Sequence, residues 1–432
     1  MDTQENADQT GAAADRTVVH FDHHSAEYAA DPIGAMEKLR AIARVPYCDQ
    51  HGGFWVLTRY DDLCEVDGDG ERFSSRHDVK PGTNGLGPYS GCVIPGMPMA
   101  ASFIEMDVAQ STEYRQFLGR WLSPKALSRL QPGIRDIVNY CLDQHIESGR
   151  IDLVRDLVMQ IPALTAVWWL GLPFDDAQVY AEVNYSTSHT PPGTPAHATL
   201  ATFQTQLDLV EAAIADRRRA PRNDLMSAIA HARIGGRELS HDETVQFMTL
   251  MLGGGVDSTT AGMSCIVHYL ALNPDVRARL AREPGLMASA VEEFLRYFAP
   301  NQGMARTVTR DTEIGGQRMS AGDRVLMLWS AANHDATVFS NPGTIDIERS
   351  PNPHTSFGVG PHRCPGRSIG RMEITTLLEE ILRRIPDYVI DDTRTVRNST
   401  LGITNGYATI PATFTPGPRE GATLPAPFSL DG

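Results

Sequence analysis

Along this chain the apolar residues recur mostly at helical spacing. The clearest run is Ile369, Met372, Ile374, Leu377, Leu378, Ile381, Leu382 and Ile385, which predicts a helix from Arg367 to Ile385. The same period predicts helices near 32–42 and over about 111–121, 124–147, 151–170, 175–186, 202–218, 222–231, 241–272, 274–282 and 286–298. Strand-like runs are short. Val45-Pro46-Tyr47-Cys48 and Phe54-Trp55-Val56-Leu57-Thr58 flank a turn at Gly52-Gly53, and others lie at 305–309, 312–314 and 324–328. Pro191, Pro192 and Pro195 break the helical pattern across 186–197. Residues 76–104 are punctuated by glycine and proline, and so long a loop in a compact domain is functional or mobile. The pattern is mainly α with small β-sheets, an α+β class. Nothing resembling a linker or repeat divides it. We therefore expect one large domain over 18–415, a disordered tail at 1–17 and an unstructured C-terminal tail at 416–432.

Charge narrows the partners. With 38 Lys and Arg against 53 Asp and Glu, the net charge is −15, which argues against nucleic acid or an anionic membrane as the main partner. The six cysteines (Cys48, Cys64, Cys92, Cys141, Cys265, Cys364) are scattered and none forms a CxxC pair, as in a reduced, cytoplasmic protein. The long apolar stretch 245–272 is interrupted by Gln246, Asp257, Ser258 and His268, which makes a poor membrane span.

Candidate chemistry concentrates at Phe357-Gly358-Val359-Gly360-Pro361-His362-Arg363-Cys364-Pro365-Gly366. A lone cysteine in a turn is ordinarily a small core residue. Here it stands at the start of a predicted helix, where unpaired backbone N–H groups and the positive dipole end favour thiolate. The glycines let backbone approach a flat ligand closely. A thiolate so presented suits a soft metal, and haem iron is one such partner.

The ten residues match the pattern Phe-Gly-x-Gly-x-His-x-Cys-x-Gly at every fixed position. The chain thereby resembles the cytochrome P-450 family of soluble bacterial type. The resemblance implies a single α+β domain with haem b (iron protoporphyrin IX) between a long oxygen-binding helix and the cysteine-loop helix. Cys364 is the implied iron ligand, with Phe357, Gly358 and Gly366 forming the cradle. Arg115, Arg306 and His354 are implied to neutralise the haem propionates, whose charge is otherwise uncompensated.

A second signal lies within the predicted helix 241–272. Gly253-Gly254-Gly255 costs up to about 1 kcal/mol per glycine against alanine, so something requires it. A hydroxyl at Ser258 can bond back to the Gly254 carbonyl and bend the helix. With Asp257 it resembles the family's acid–alcohol pair, which relays protons to bound dioxygen. The family usually has Thr where this chain has Ser258, and often has His where it has Ser111. Glu293 and Arg296, alone an ordinary helix pair, resemble the family's buried ion pair, completed here by Arg349. The stretch 331–335 also follows the family pattern.

The resemblance implies a haem-thiolate monooxygenase. It would take electrons from a ferredoxin and ferredoxin reductase and would hydroxylate, epoxidise or oxidatively couple a mid-sized organic molecule, as in secondary-metabolite tailoring. Carried-over pocket positions are Val93, Ile94, Met99, Leu250, Gly254, Asn301, Gln302, Met304, Ile403 and Asn405. The expectation is a cytoplasmic monomer without membrane or nucleic-acid partners. Two alternatives stand beside it. A peroxide-driven peroxygenase would carry Arg-Pro where this chain has Asp257-Ser258. A non-catalytic haem sensor would not need the acid–alcohol pair. Arg363, Arg367 and Arg371 form the expected docking patch for an acidic donor.

Overall fold

A computed structural model describes residues 16–78, 89–97, 100–189 and 197–430. Two layers divide the work. One is a six-stranded sheet, ordered Val18–Val19, Tyr47–Cys48, Phe54–Leu57, Arg324–Met327, Met304–Val308, Phe73–Ser74. The other is a helical mass whose shared apolar core runs from Phe103 to Phe428. The whole is the expected α+β architecture, mainly helical with small sheets.

Local chemistry explains many of the boundaries. Asp31 caps the helix Pro32–Ile42, with proline at its first turn. Ser240 and Glu243 form a reciprocal capping box on His241–Gly253. Gly52 and Gly53 turn with φ of +87° and +93°, as the hairpin between the first strand-like runs requires.

Three predicted elements differ. The pattern at 151–170 is not one helix. Arg150–Asp152 pairs with Pro411–Thr413, a π-helical turn spans Leu153–Val158, and only Gln160–Leu170 is α-helix. This segment is apolar enough to cross a membrane by length and composition, but 83% of it is buried, so it is a core element. The pattern at 241–272 breaks at Gly254-Gly255 into His241–Gly253 and Val256–Leu272. The pattern at 124–147 ends as a helix at Asp143.

The tail beyond 415 has no regular structure, yet it is held. Trp168 Nε1 donates to Ala426 O at 2.7 Å, Phe428 packs on Trp121 and Trp168, and Asp143 accepts from the Glu420 and Ala422 N–H groups. Most of the expected N-terminal tail, much of the 76–104 loop including Met99, and the proline cluster at 191–195 lie outside the described residues.

The cysteine-loop helix Arg367–Arg384 is central to the helical mass. It packs on Pro124–Asp143, where Arg384 meets Asp143 at 2.5 Å and Arg135 meets Glu379 at 2.6 Å. Its Glu373 is buried against Gln160–Leu170, facing the Thr165 hydroxyl. Burial pushes this carboxyl up to about 8.

A folded carboxyl with a raised pKa contributes its stability below the unfolded value and loses it as pH climbs through the folded one. Here that window runs from 4.5 to about 8, and the loss is on the order of a few kcal/mol. Glu373→Gln should therefore melt above the parent at pH 9, with the gap closing towards pH 5. Thermal melts at both pH values check this. A gap that grows towards acid would instead mean an ionised carboxylate in the fold.

Candidate active site

The cysteine loop is built by backbone. Gly358 N–H bonds to Thr355 O and Cys364 N–H to Phe357 O, each at 2.7 Å. Gly358 and Gly360 take φ of +68° and +66°. A Cβ on Gly360 would lie 2.7 Å from Asp67 O, so only glycine lets the loop lean on the end of helix Tyr60–Gly68. Asp67 then holds two things at once. Its Oδ2 accepts Val359 N–H at 2.8 Å, and its Oδ1 accepts Arg306 Nη2 at 2.7 Å.

Cys364 Sγ faces the N–H groups of Gly366 and Arg367 at the start of the helix. Burial pushes the thiol up. Those N–H groups and the charges of Arg115 and Arg367 pull the other way. The thiol is thus set where a bound cation would decide its ionisation.

Behind the loop sits a buried ion cluster. Glu293 accepts both Arg296 Nε and Nη2 at 2.7 Å, Arg349 Nε at 2.9 Å, and the Asp346 N–H at 2.9 Å. Glu293 and Arg296 have no solvent exposure. Arg296 reaches on to Asn333 O, and Asn333 Oδ1 accepts Thr355 N–H at 2.7 Å. The three residues expected to pin the loop are therefore together, linked to it through Asn333.

Of the three residues expected to meet propionates, two are brought together. Arg306 and Arg115 both lie by His362. Burial first, then these two charges, hold the His362 imidazole down at about 3. Both its ring nitrogens are buried with no hydrogen-bond partner. Arg115 donates to Arg363 O at 2.7 Å and His362 O at 3.1 Å, and Ser111 Oγ accepts its Nε at 3.2 Å. Ser111 thus steadies Arg115.

His354 lies elsewhere. Its Nε2 donates to Glu292 at 3.1 Å and its Nδ1 accepts Ser356 N–H. Burial pushes the Glu292 carboxyl up, but bonds from Arg371 and His354 overcome this and hold it at about 2. Arg371, expected in the docking patch, is thereby clamped on Glu292 at 2.6 and 2.7 Å. Arg363 is exposed, and Arg367 donates to Cys364 O.

Against the cysteine-loop helix packs Val256–Leu272. Gly254 and Gly255 are exposed at its broken start, though the helices around them are buried. Ser258 Oγ reaches the Gly254 carbonyl at 3.4 Å, as the spacing predicted. Thr259 is turned towards Gly370. Asp257 Oδ2 accepts the Thr404 hydroxyl at 2.7 Å. His189 closes this network, with Nε2 3.2 Å from Thr404 Oγ1 and Nδ1 3.9 Å from Asp257 Oδ1.

The expected pocket positions divide. Asn301 bridges to Thr404, and Gln302 N–H bonds to Ile403 O, which brings 301–304 beside 403–405. Arg324 fastens the 91–94 stretch through the Gly91 and Val93 carbonyls. Leu250 O accepts the Gly254 N–H, which places Leu250 at the helix break. The amides of Gln302 and Asn405 are used on the protein itself. Gln302 bonds to Tyr28 and Ala299, and Asn405 to Phe298 O and Arg397. Ile94 is buried in the N-terminal apolar core, and Met304 packs against the core that holds Trp55 and Met327.

The site residues that the sequence reading did not single out are Asp67, His189, His362 and Thr404. His362 was the legible one, being a fixed position of the loop pattern. Asp67 leaves only a faint signal, an acid at a helix C-terminus where the dipole disfavours it.

The residues present fit a haem. A thiol stands at a helix N-terminus, two arginines surround an unpartnered buried histidine, and a glycine break leaves the facing helix open. Comparison with known proteins agrees. The family description "Cytochrome P450" matches residues 196–386. A steroid C26-monooxygenase of Mycobacterium tuberculosis is 29% identical, covering 88% of this chain and all of its own length. Nocardicin C N-oxygenase of Nocardia uniformis is 31% identical, covering 79% of this chain and 84% of its own. The crystal structure of HmtN, a post-tailoring hydroxylase involved in himastatin biosynthesis, superposes with a TM-score of 0.76 at 27% identity, covering 89% of this chain and 96% of its own.

The ion cluster yields a test. Glu293→Ala leaves Arg296 charged and unpaired with no solvent, at a cost of roughly 3–5 kcal/mol. The denaturant midpoint should fall accordingly, and Glu293→Gln should fall less. An unchanged midpoint for Glu293→Ala would show that the cluster does not hold the fold.

Proposed function

Because this chain belongs to the cytochrome P450 family and its relatives are monooxygenases, we propose that it oxidises a mid-sized organic molecule as a tailoring step of secondary metabolism. The reaction is hydroxylation, epoxidation or oxidative coupling. Two electrons come from a ferredoxin served by a ferredoxin reductase, and the protein works in the cytoplasm as a monomer. The relatives named for nocardicin C and for himastatin biosynthesis support the tailoring reading, and the steroid enzyme supports the size class.

Haem b, when bound, supplies dioxygen activation and the oxidising chemistry. Cys364 Sγ would hold its iron, and the Gly366 and Arg367 N–H groups would moderate the charge on that sulfur. Arg115, Arg306 and the otherwise unpartnered His362 would hold the propionates. The exposed Gly254 and Gly255 would offer bare backbone to the haem, and Phe357 and Gly358 would help to cradle it.

The observation that carries oxygenase chemistry is the bonded chain at Asp257. Thr404 O–H donates to Asp257 Oδ2, and His189 Nε2 lies 3.2 Å behind Thr404. A proton arriving at His189 can pass through the Thr404 hydroxyl to Asp257. From there Ser258 holds the next hydroxyl, kept at the helix break by its bond to Gly254 O. A peroxygenase or a sensor needs no such route. At the electron-donor face, Arg363 and Arg367 remain as the basic groups, since Arg371 is neutralised by Glu292.

Three variants test this reading. Cys364→Ser should abolish the reduced-carbonyl band near about 450 nm that thiolate ligation gives. Persistence of the band would remove Cys364 from the iron. Ser258→Ala should still show substrate-induced spectral shifts while diverting NADPH electrons to peroxide, and Ser258→Thr should keep coupling. Equal product per NADPH in Ser258→Ala and parent would take Ser258 off the proton route.

A further inference from the structure

A second polar constellation, which oxygenase chemistry does not use, lies in the N-terminal layer. Asp22 and His23 precede the short helix Ala26–Ala30, and His51 sits in the turn between Tyr47–Cys48 and Phe54–Leu57. The ligating atoms of Asp22, His23 and His51 all lie within 4.8 Å of one another. His51 holds this place with φ of +51°, an uncommon backbone state for a residue with a side chain. Its Nε2 is already 2.9 Å from Asp22 Oδ1.

His23 makes the cluster more than a hydrogen-bonded patch. It is 3% exposed. Its Nε2 lies 2.9 Å from Ile94 O, an acceptor only, so the proton is on Nε2. Nδ1 is therefore a bare lone pair, and it is buried with no hydrogen-bond partner. A backbone carbonyl behind one ring nitrogen and a free lone pair on the other is the usual arrangement of a metal-bound histidine. His24 also donates to Ile94 O, at 2.8 Å, and its ring lies 4.3 Å from the His23 ring, tilted by 47°. Burial first, then its neighbours, hold the His23 imidazole down at about 3, so it is neutral at working pH.

We propose that Asp22, His23 and His51 form a binding site for a transition-metal dication of the zinc class, distinct from the haem. Two imidazoles and one carboxylate are a borderline-soft donor set that suits Zn²⁺ and leaves a fourth position for water. Tetrahedral bonds of about 2 Å set ligand atoms about 3.3 Å apart, so from within 4.8 Å the trio must close by up to about 1.5 Å at its widest. Asp22 and His51 are the movable members, with side chains 36% and 17% exposed, and they give the ion its way in from solvent. The metal would staple the N-terminal segment to the 49–53 turn. Through His23 and the Ile94 carbonyl it would also stiffen the stretch that carries the expected pocket positions Val93 and Ile94. The proposal does not depend on which substrate that pocket takes.

The test uses chelator-stripped holoprotein titrated with ZnCl2 in a calorimeter. The parent should take up one equivalent that His51→Gly and Asp22→Asn bind at least about tenfold more weakly. Glycine accepts the positive φ at position 51, so His51→Gly removes the ligand without strain. The melting temperature of the parent should rise with Zn²⁺, and that of His51→Gly should not. His20→Ala, which alters a neighbouring histidine outside the trio, should bind as the parent does. The reduced-carbonyl band of each variant reports that the fold is intact. A parent that binds no equivalent, or a His51→Gly that binds and is stabilised like the parent, would overturn the proposal.

Discussion

A carboxylate with no access to water, Glu293, is the point on which the rest of the structure depends. Removing a charge from solvent is costly, and the cost is offset only when every lone pair finds a donor. Here Arg296, Arg349, the Asp346 N–H and the Asn352 amide surround it. Such a cluster is weak evidence for added stability. Its consequence is positional. Arg296 fixes Asn333, Asn333 fixes Thr355, and the cysteine loop starts there.

The loop is held equally firmly from the front. Asp67 binds the Val359 N–H and Arg306 with the two oxygens of one buried carboxylate. The loop that carries Cys364 is therefore tied at Thr355 and at Val359 to two buried acids, Glu293 and Asp67, both fully engaged. The helix that packs on the cysteine-loop helix begins after an exposed break at Gly254-Gly255. A rigid ligand loop and an exposed helix break are a sensible division for a site that must hold a cofactor and admit a substrate.

The site's electrostatics follow the same logic. His362 is buried beside two cations and cannot carry a charge of its own, so it is a neutral donor awaiting an acceptor. Glu292 is occupied by Arg371 and His354 and is kept ionised. Glu373, on the same helix as Arg371, is buried without a cation and stays protonated to about 8. The carboxyls of Glu292 and Glu373 thus differ in state because their partners differ, not their residue type.

Elements that depend on near neighbours were legible in the chain. The cysteine-loop helix, the caps, the Gly52-Gly53 hairpin and the Ser258 bond to Gly254 all involve residues within a few positions, where backbone geometry dictates the outcome. The pattern around Cys364 was legible for the same reason, because a loop that bends through Gly358 and Gly360 records its shape in its glycines. Long-range pairings left no such record. Asp67 meets Arg306 across 239 positions and Thr404 meets Asp257 across 147. Period alone could not show that residues 151 and 152 would be drawn into a strand by Pro411–Thr413, nor that Gln302 and Asn405 would use their amides on the protein itself. Side-chain partners are chosen by packing, and packing is settled only when distant segments share one interior.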